Sequence, residues 1–210
     1  MAKDRHDNRD NHMNHKGKNP MKTKITIAIV TLALAAPAMA GNDDEIARRT
    51  QESRKVVKTF MGKLKGELQK AMKSGGPVKA IEVCRNKAPL IAGEMSQQTG
   101  WRVARTSLKY RNPNNAPDAW EQLVLKEFEA RKAKGEDVRK LEHAEIVTVD
   151  GQKQFRYMKA IPTGKVCLTC HGEKLDPAVA QTLNQFYPHD KARGFRVGDI
   201  RGAFTITQPM

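Results

Sequence analysis

No apolar run in these 210 residues is long enough to cross a bilayer. A spanning helix takes about 20 apolar residues, and the run from Ile25 to Ala36 ends at Pro37 after 12. No internal repeat is visible. Aromatic residues make up only 5% of the chain, and neither a basic array spaced by aromatics nor a nucleic-acid motif accompanies its net charge of +15. Nucleic acid is therefore excluded as a partner class. Only three cysteines are present, Cys84, Cys167 and Cys170. A four-ligand zinc site built on two cysteine knuckles would need a second Cys-X-X-Cys pair, and there is none.

What is present begins with two dissimilar ends. Residues 1–20 hold two Met and one Ala as their only apolar residues and show no periodicity. They read either as a disordered extension or as the product of a misplaced start codon, and the second reading is preferred. From Met21 the pattern changes to Lys22 and Lys24, an apolar stretch, and then Ala38-Met39-Ala40. That is the pattern of a secretory signal peptide over 21–40, with Gly41 as the first mature residue. It places the protein in the periplasm or outside the cell, with no stable membrane span after cleavage. Residues 41–210 keep 31 basic and 20 acidic side chains, a net +11, and suit a single domain. The charge would suit an acidic partner or an anionic surface. It is spread along amphipathic segments, though, as solvated faces are.

Helices come first. Ile46, Val56 or Val57, Phe60, Leu64, Leu68 and Met72 recur at three- and four-residue spacings, which predicts a long amphipathic helix over 43–73 ending at Ser74-Gly75-Gly76. Pro77 opens a second helix with Ile81, Cys84 and Ala88 on one face, and Pro89 opens a third that Gly100 closes. The period then changes. Residues 101–106, WRVART, alternate as a strand does. After a loop rich in Pro and Asn, a helix from Pro117 to Lys134 is expected to bury Trp120, Leu123, Val124 and Phe128. A hairpin follows, 143–149 and 152–161 about the turn Asp150-Gly151. A short helix near 176–186 and a last strand over 199–207 complete an α+β domain with one antiparallel sheet.

The chemistry concentrates in Cys167-Leu168-Thr169-Cys170-His171. Covalent attachment of haem c needs two thiols spaced to add to the two vinyl groups, and a histidine directly after them to reach the iron. Export matches the compartment in which haem c is assembled, and Gly172 leaves the backbone room beside a flat macrocycle. Three other readings compete. A thioredoxin-like dithiol belongs at the strand-to-helix turn of a βαβ unit, whereas this motif follows a hairpin. Zinc would need Cys84 with His143 or His189 to complete its ligands. A structural disulfide would leave His171 unexplained and Cys84 unpaired.

A second iron ligand has few sources downstream, where only His189 and Met210 lie. Upstream candidates are Cys84, Met95, His143, Met158 and the remaining methionines. Cys84 on an apolar helix face is by itself an ordinary small buried residue. An unpaired thiol in an oxidising compartment nonetheless needs protection or use. Arg102, Arg105 and Arg201 could neutralise haem propionates, or could equally face solvent from a strand edge. His143 and His189 read as surface or structural residues. Tyr157 and Met158, on opposite faces of a strand, read as core or pocket wall.

Three segments taken together, AIEVCRNKAP with its continuation to DAWE, FRYMKAIPTGKVCLTCHG, and YPHDKARGFRVGDIRGAFTIT, resemble an exported family of haem c domains with a PAS-like fold. The family is often known only as a domain of unknown function, and it occurs both free-standing and as the sensor part of membrane signalling proteins. The resemblance implies a central antiparallel sheet flanked by helices. It also implies unusual iron ligation by a cysteine from upstream of the sheet, at the position of Cys84, opposite His171. A thiolate there adds electron density to the iron. No membrane helix, kinase or cyclase domain follows Met210, so no signalling output is expected within this chain.

Three functions follow as expectations. The first is an exported soluble protein carrying one covalent haem c in one-electron transfer with a redox partner protein. The second is a redox- or gas-sensing haem module read by a separate partner. The third and weakest is a peroxidase-type enzyme, because Cys84 would fill the iron site that such chemistry needs open.

Overall fold

The computed structural model describes residues 38–210. The expected extension over 1–20 lies outside that range, as does the expected signal peptide over 21–40 except for its last three residues, which stand at the start of the first helix.

Helix α1 (Ala38–Thr99) is broken once, at Gly75 (φ −164°, ψ 19°) and Gly76 (φ 67°, ψ −162°). The Gly76 conformation is essentially open only to glycine, which is why the chain turns there and Pro77 starts the second limb. The limbs lie side by side: Lys63 on the first pairs with Glu94 on the second at 3.0 Å. The break expected at Pro89 is absent, and the helix runs through that residue to Thr99. A proline removes one hydrogen bond, here to the Arg85 carbonyl, and neighbouring turns can carry the helix past it when tertiary packing holds both sides. Ala88 and Ile91, on either side of Pro89, are both buried. Gly100, at φ 71°, ends the helix as expected.

Strands β1 (Arg102–Thr106), β2 (Glu142–Val149), β3 (Gln152–Pro162) and β4 (Ile200–Pro209) form one antiparallel sheet in the order β1-β4-β3-β2. The β2–β3 turn is the expected one, with Asp150 at φ 50° and Gly151 at φ 76°. Such positive angles match the twist of a two-residue hairpin.

Because side chains alternate across a strand, the sheet has two distinct faces. Val103, Phe155, Tyr157, Phe204 and Ile206 meet Val57, Phe60, Ile91 and Met95 from both limbs of α1. Phe60 is fully buried and meets Phe204 edge-on at 5.2 Å between centroids. Burial of such a ring contributes about 1.5–3 kcal/mol.

On the other face Met158, Ala160, Ile200 and Ala203 meet α2 (Ala119–Ala133). That helix buries Val124, Leu125 and Phe128, while Leu123 is 67% exposed. The expectation for Leu123 was therefore wrong. The capping box of Asp118 with Glu121 fixes the start of α2. Glu121 then points into the sheet, and positions three, four and seven residues on share its face.

The short α3 (Leu168–His171) follows a 3-10 turn over Lys165–Cys167, and α4 (Pro177–Phe186) packs Val179 and Leu183 on Ile81 of α1. Among the described residues no helix is long and apolar enough to cross a membrane.

Candidate functional site

Beside the α1 face of the sheet, the two limbs of α1, the ends of β1 and β4 and helix α3 enclose a cavity of about 480 Å³. That is within the usual range for small-molecule sites, about 300–1,000 Å³. Leu68 and Met72, expected on the core face of the first limb, line the cavity; Leu64 both packs against the core and lines it, and Ile81, Cys84 and Ala88 line it from the second limb. All three cysteines reach it, as does His171. All three are free thiols, so Cys167 and Cys170 are not joined as a disulfide. Among the described residues no cluster of three or more His, Cys, Asp and Glu side chains is arranged to hold a metal ion.

The motif folds as two tight turns in succession. The amide of Cys167 bonds the Gly164 carbonyl at 3.0 Å, and α3 closes when the amide of Gly172 bonds the Leu168 carbonyl at 2.9 Å. A side chain at Gly172 would put Cβ 2.6 Å from the Leu168 carbonyl oxygen. Within the chain, the room that Gly172 supplies is against its own helical turn.

His171 is held by residues far along the chain. Its Nδ1–H donates to the Ala192 carbonyl at 2.8 Å, and its own carbonyl accepts from the amide of Phe195 at 2.9 Å. Occupying Nδ1 in this way leaves the lone pair of Nε2 as the coordinating atom. Among the described residues the only group directed at Nε2 is the Arg201 Nε–H, at 3.4 Å. Burial, and then the charges of Arg201 and Arg111, hold the imidazole well below its ordinary pKa, so it is neutral and able to ligate.

The thiol of Cys84 is pushed up in pKa by burial, against the pull of Arg105 and Arg111. Burial likewise raises Cys170. Three guanidinium groups surround these atoms. Arg111 is paired with Asp190 at 3.1 Å. Arg201 donates to Ser107 Oγ at 3.3 Å and to the Lys109 carbonyl at 3.2 Å, and Arg105 lies over the Phe60 ring at 5.8 Å. Among the described residues neither Arg105 nor Arg201 has a carboxylate within ion-pair distance. Burial pushes both below their usual pKa range, and for Arg201 the charges of Arg111 and Arg105 add to it. Two half-buried cations without carboxylate counter-ions on a largely apolar wall suit a ligand that carries carboxylates. Arg102, the third arginine singled out from sequence, is not among them. It lies on the opposite face of the sheet and pairs with Glu121 at 3.2 Å.

The other candidate ligands lie elsewhere. Met95 belongs to the core under α1, and Met158 to the core under α2. His143 pairs with Glu127 at 3.0 Å and stacks edge-on against Trp120. His189 and Met210 are exposed and do not line the cavity. Tyr157 is buried in the core, its hydroxyl donating to Glu142 at 2.8 Å. Of the methionines, Met61 and Met72 do line the cavity. Sequence reasoning passed over Arg111, Asp190 and Ala192. Their segments stood among those that carried the family resemblance, but nothing in a local pattern joins positions about eighty residues apart.

Residues 32–209 match the model of the Tll0287-like family. Among solved structures, the crystal structure of the cyanobacterial heme-protein Tll0287 is similar at 30% sequence identity with a TM-score of 0.56. The match covers 76% of this chain and 96% of that one. No curated protein matches significantly.

Proposed function

The chain belongs to the Tll0287-like family, and from that membership we propose that it is an exported haem c protein acting in one-electron transfer. The observation that carries the reading is the set of groups meeting in one cavity: Cys167 and Cys170 in turns, the neutral imidazole of His171 with Nε2 unburdened by a proton, Cys84, and the unpaired cations Arg105 and Arg201. These residues fit a haem. Cys167 and Cys170 would hold it by thioethers, His171 and Cys84 would ligate its iron, and Arg105 and Arg201 would meet its propionates. When bound, haem supplies a one-electron couple at its iron.

The residues of the chain do the rest. Ala192 fixes the histidine tautomer. Leu64, Leu68, Ile81 and Ala88 exclude water, and Arg105 and Arg201 offset carboxylate charge. Within this reading the sheet and helices are a PAS-like domain over 41–210, delivered to the periplasm or beyond by the leader 21–40, and the counterpart is a redox partner protein.

A second reading, redox or gas sensing through a separate partner, has one observation in its favour. Met61 and Met72 line the same cavity as Cys84, so residues with thioether side chains are at hand if the thiolate leaves. Carbon monoxide added to the dithionite-reduced protein separates the two. An electron carrier leaves the gas unbound and reoxidises reversibly, whereas ready uptake overturns the carrier reading in favour of sensing.

A further inference from the structure

Arg111 stands in the loop after β1, and its side chain is 12% exposed beside an Asp190 that is 2% exposed. Its Nε–H donates to Asp190 Oδ1 at 3.1 Å, while Nη2 donates both to the Cys170 carbonyl and, at 3.2 Å, to the Ala192 carbonyl. The Ala192 carbonyl is the same oxygen that accepts the His171 Nδ1–H. Asp190 also accepts from the Ala192 amide at 2.9 Å. The amide of Lys191 in turn bonds the carbonyl of Tyr110 at 3.0 Å, so the two loops are joined by backbone as well. A closed ring of bonds therefore runs through Arg111, Asp190 and Ala192, with one branch from the Ala192 carbonyl to His171 and another from Arg111 to Cys170.

We propose that Arg111, clamped by Asp190, is the positioning residue for the histidine of the haem site. The inference rests on the reading of His171 as an iron ligand and goes beyond it. Alone, the Ala192 carbonyl belongs to an irregular segment between α4 and β4 and has no sheet or helix to aim it. The guanidinium fork makes several directed bonds from one planar group. It thereby fixes the acceptor of His171 and the backbone of Cys170 together, on either side of the bond between residues 170 and 171. Removing partners of this outer kind typically costs about ten- to hundred-fold in metal affinity or activity.

The test is the ferric electron paramagnetic resonance spectrum of the haem-loaded full-length protein, read beside its intact mass. Wild type should give one low-spin species. Arg111→Leu and Asp190→Asn should keep the covalent haem but lower the affinity of His171 for the iron about ten- to hundred-fold, seen as a high-spin or second low-spin component. Arg111→Lys should be intermediate, because an ammonium can keep Asp190 but cannot span both carbonyls. Arg193→Gln removes another partner of Asp190, at 3.0 Å, that touches neither carbonyl, and should leave the spectrum native. If Arg111→Leu does not fold, Asp190→Asn and Arg111→Lys decide. Native spectra in both of those variants, or an equal change in Arg193→Gln, overturn the assignment. A wild-type protein whose mass shows no haem overturns the haem reading and this assignment with it.

Discussion

The Nδ1–H of His171 donates to the carbonyl of Ala192 at 2.8 Å. One bond between positions 21 apart thereby decides which ring nitrogen faces the cavity. The chemistry proposed for the site depends on that tautomer, because an imidazole with its proton on Nε2 has no lone pair to offer there.

Cys84 is the cysteine left over once Cys167 and Cys170 hold a haem, and it lines the same cavity as His171. Replacing it by alanine is expected to change the ferric absorption spectrum and to open the iron to carbon monoxide. A thiolate stabilises ferric over ferrous iron, so its loss should raise the reduction potential by a visible part of the roughly 0.8 V over which axial ligands act. Potentiometric titration of Cys84→Ala against wild type checks this. An unchanged spectrum and potential would transfer the role to Met61 or Met72.

Arg105 and Arg201 have opposite expected effects with and without haem. In the haem-loaded protein, Arg201→Gln or Arg105→Gln should lower stability by on the order of 2 kcal/mol, the worth of a hydrogen bond to a charged group. In a chain made unable to hold haem by Cys167→Ala with Cys170→Ala, the same changes should be neutral or stabilising, since they remove a half-buried cation that has no carboxylate partner. Urea unfolding of the four pairs of proteins reads the sign. The same sign in both backgrounds would remove these arginines from the haem site.

The broad architecture was legible because it is written in local periodicity and punctuation. Gly75-Gly76, Gly100 and Asp150-Gly151 each mark a change of direction that needs positive φ, and all three do so in the structure. Pro89 misled because a proline rule is local, while continuation of a helix is decided by the packing of residues such as Ala88 and Ile91. Leu123 misled because an apolar residue one position from the buried stripe looks the same in sequence as one within it. The Cys-X-X-Cys-His motif was legible because it is contiguous. Its support was not, since Arg111 and Asp190 converge on it from distant loops, and the demotion of Arg102 depends on which face of β1 meets α1.

Gly76 adopts φ 67°, ψ −162°, and a Cβ there would meet no atom within 4 Å. The cost of Gly76→Ala is therefore conformational rather than steric crowding, about 1–3 kcal/mol. It should appear as a lower urea midpoint. A midpoint equal to wild type would mean that the two limbs of α1 can be joined by another backbone path.

The central claim is tested most directly by the alkaline pyridine spectrum of the polypeptide after denaturation and acid–acetone extraction. The account predicts that haem stays on the chain and shows the α-band of a haem whose two vinyl groups are saturated, and that Cys167→Ala with Cys170→Ala abolishes the signal. Haem that passes into the acetone, or a washed chain with no haem spectrum, would contradict it.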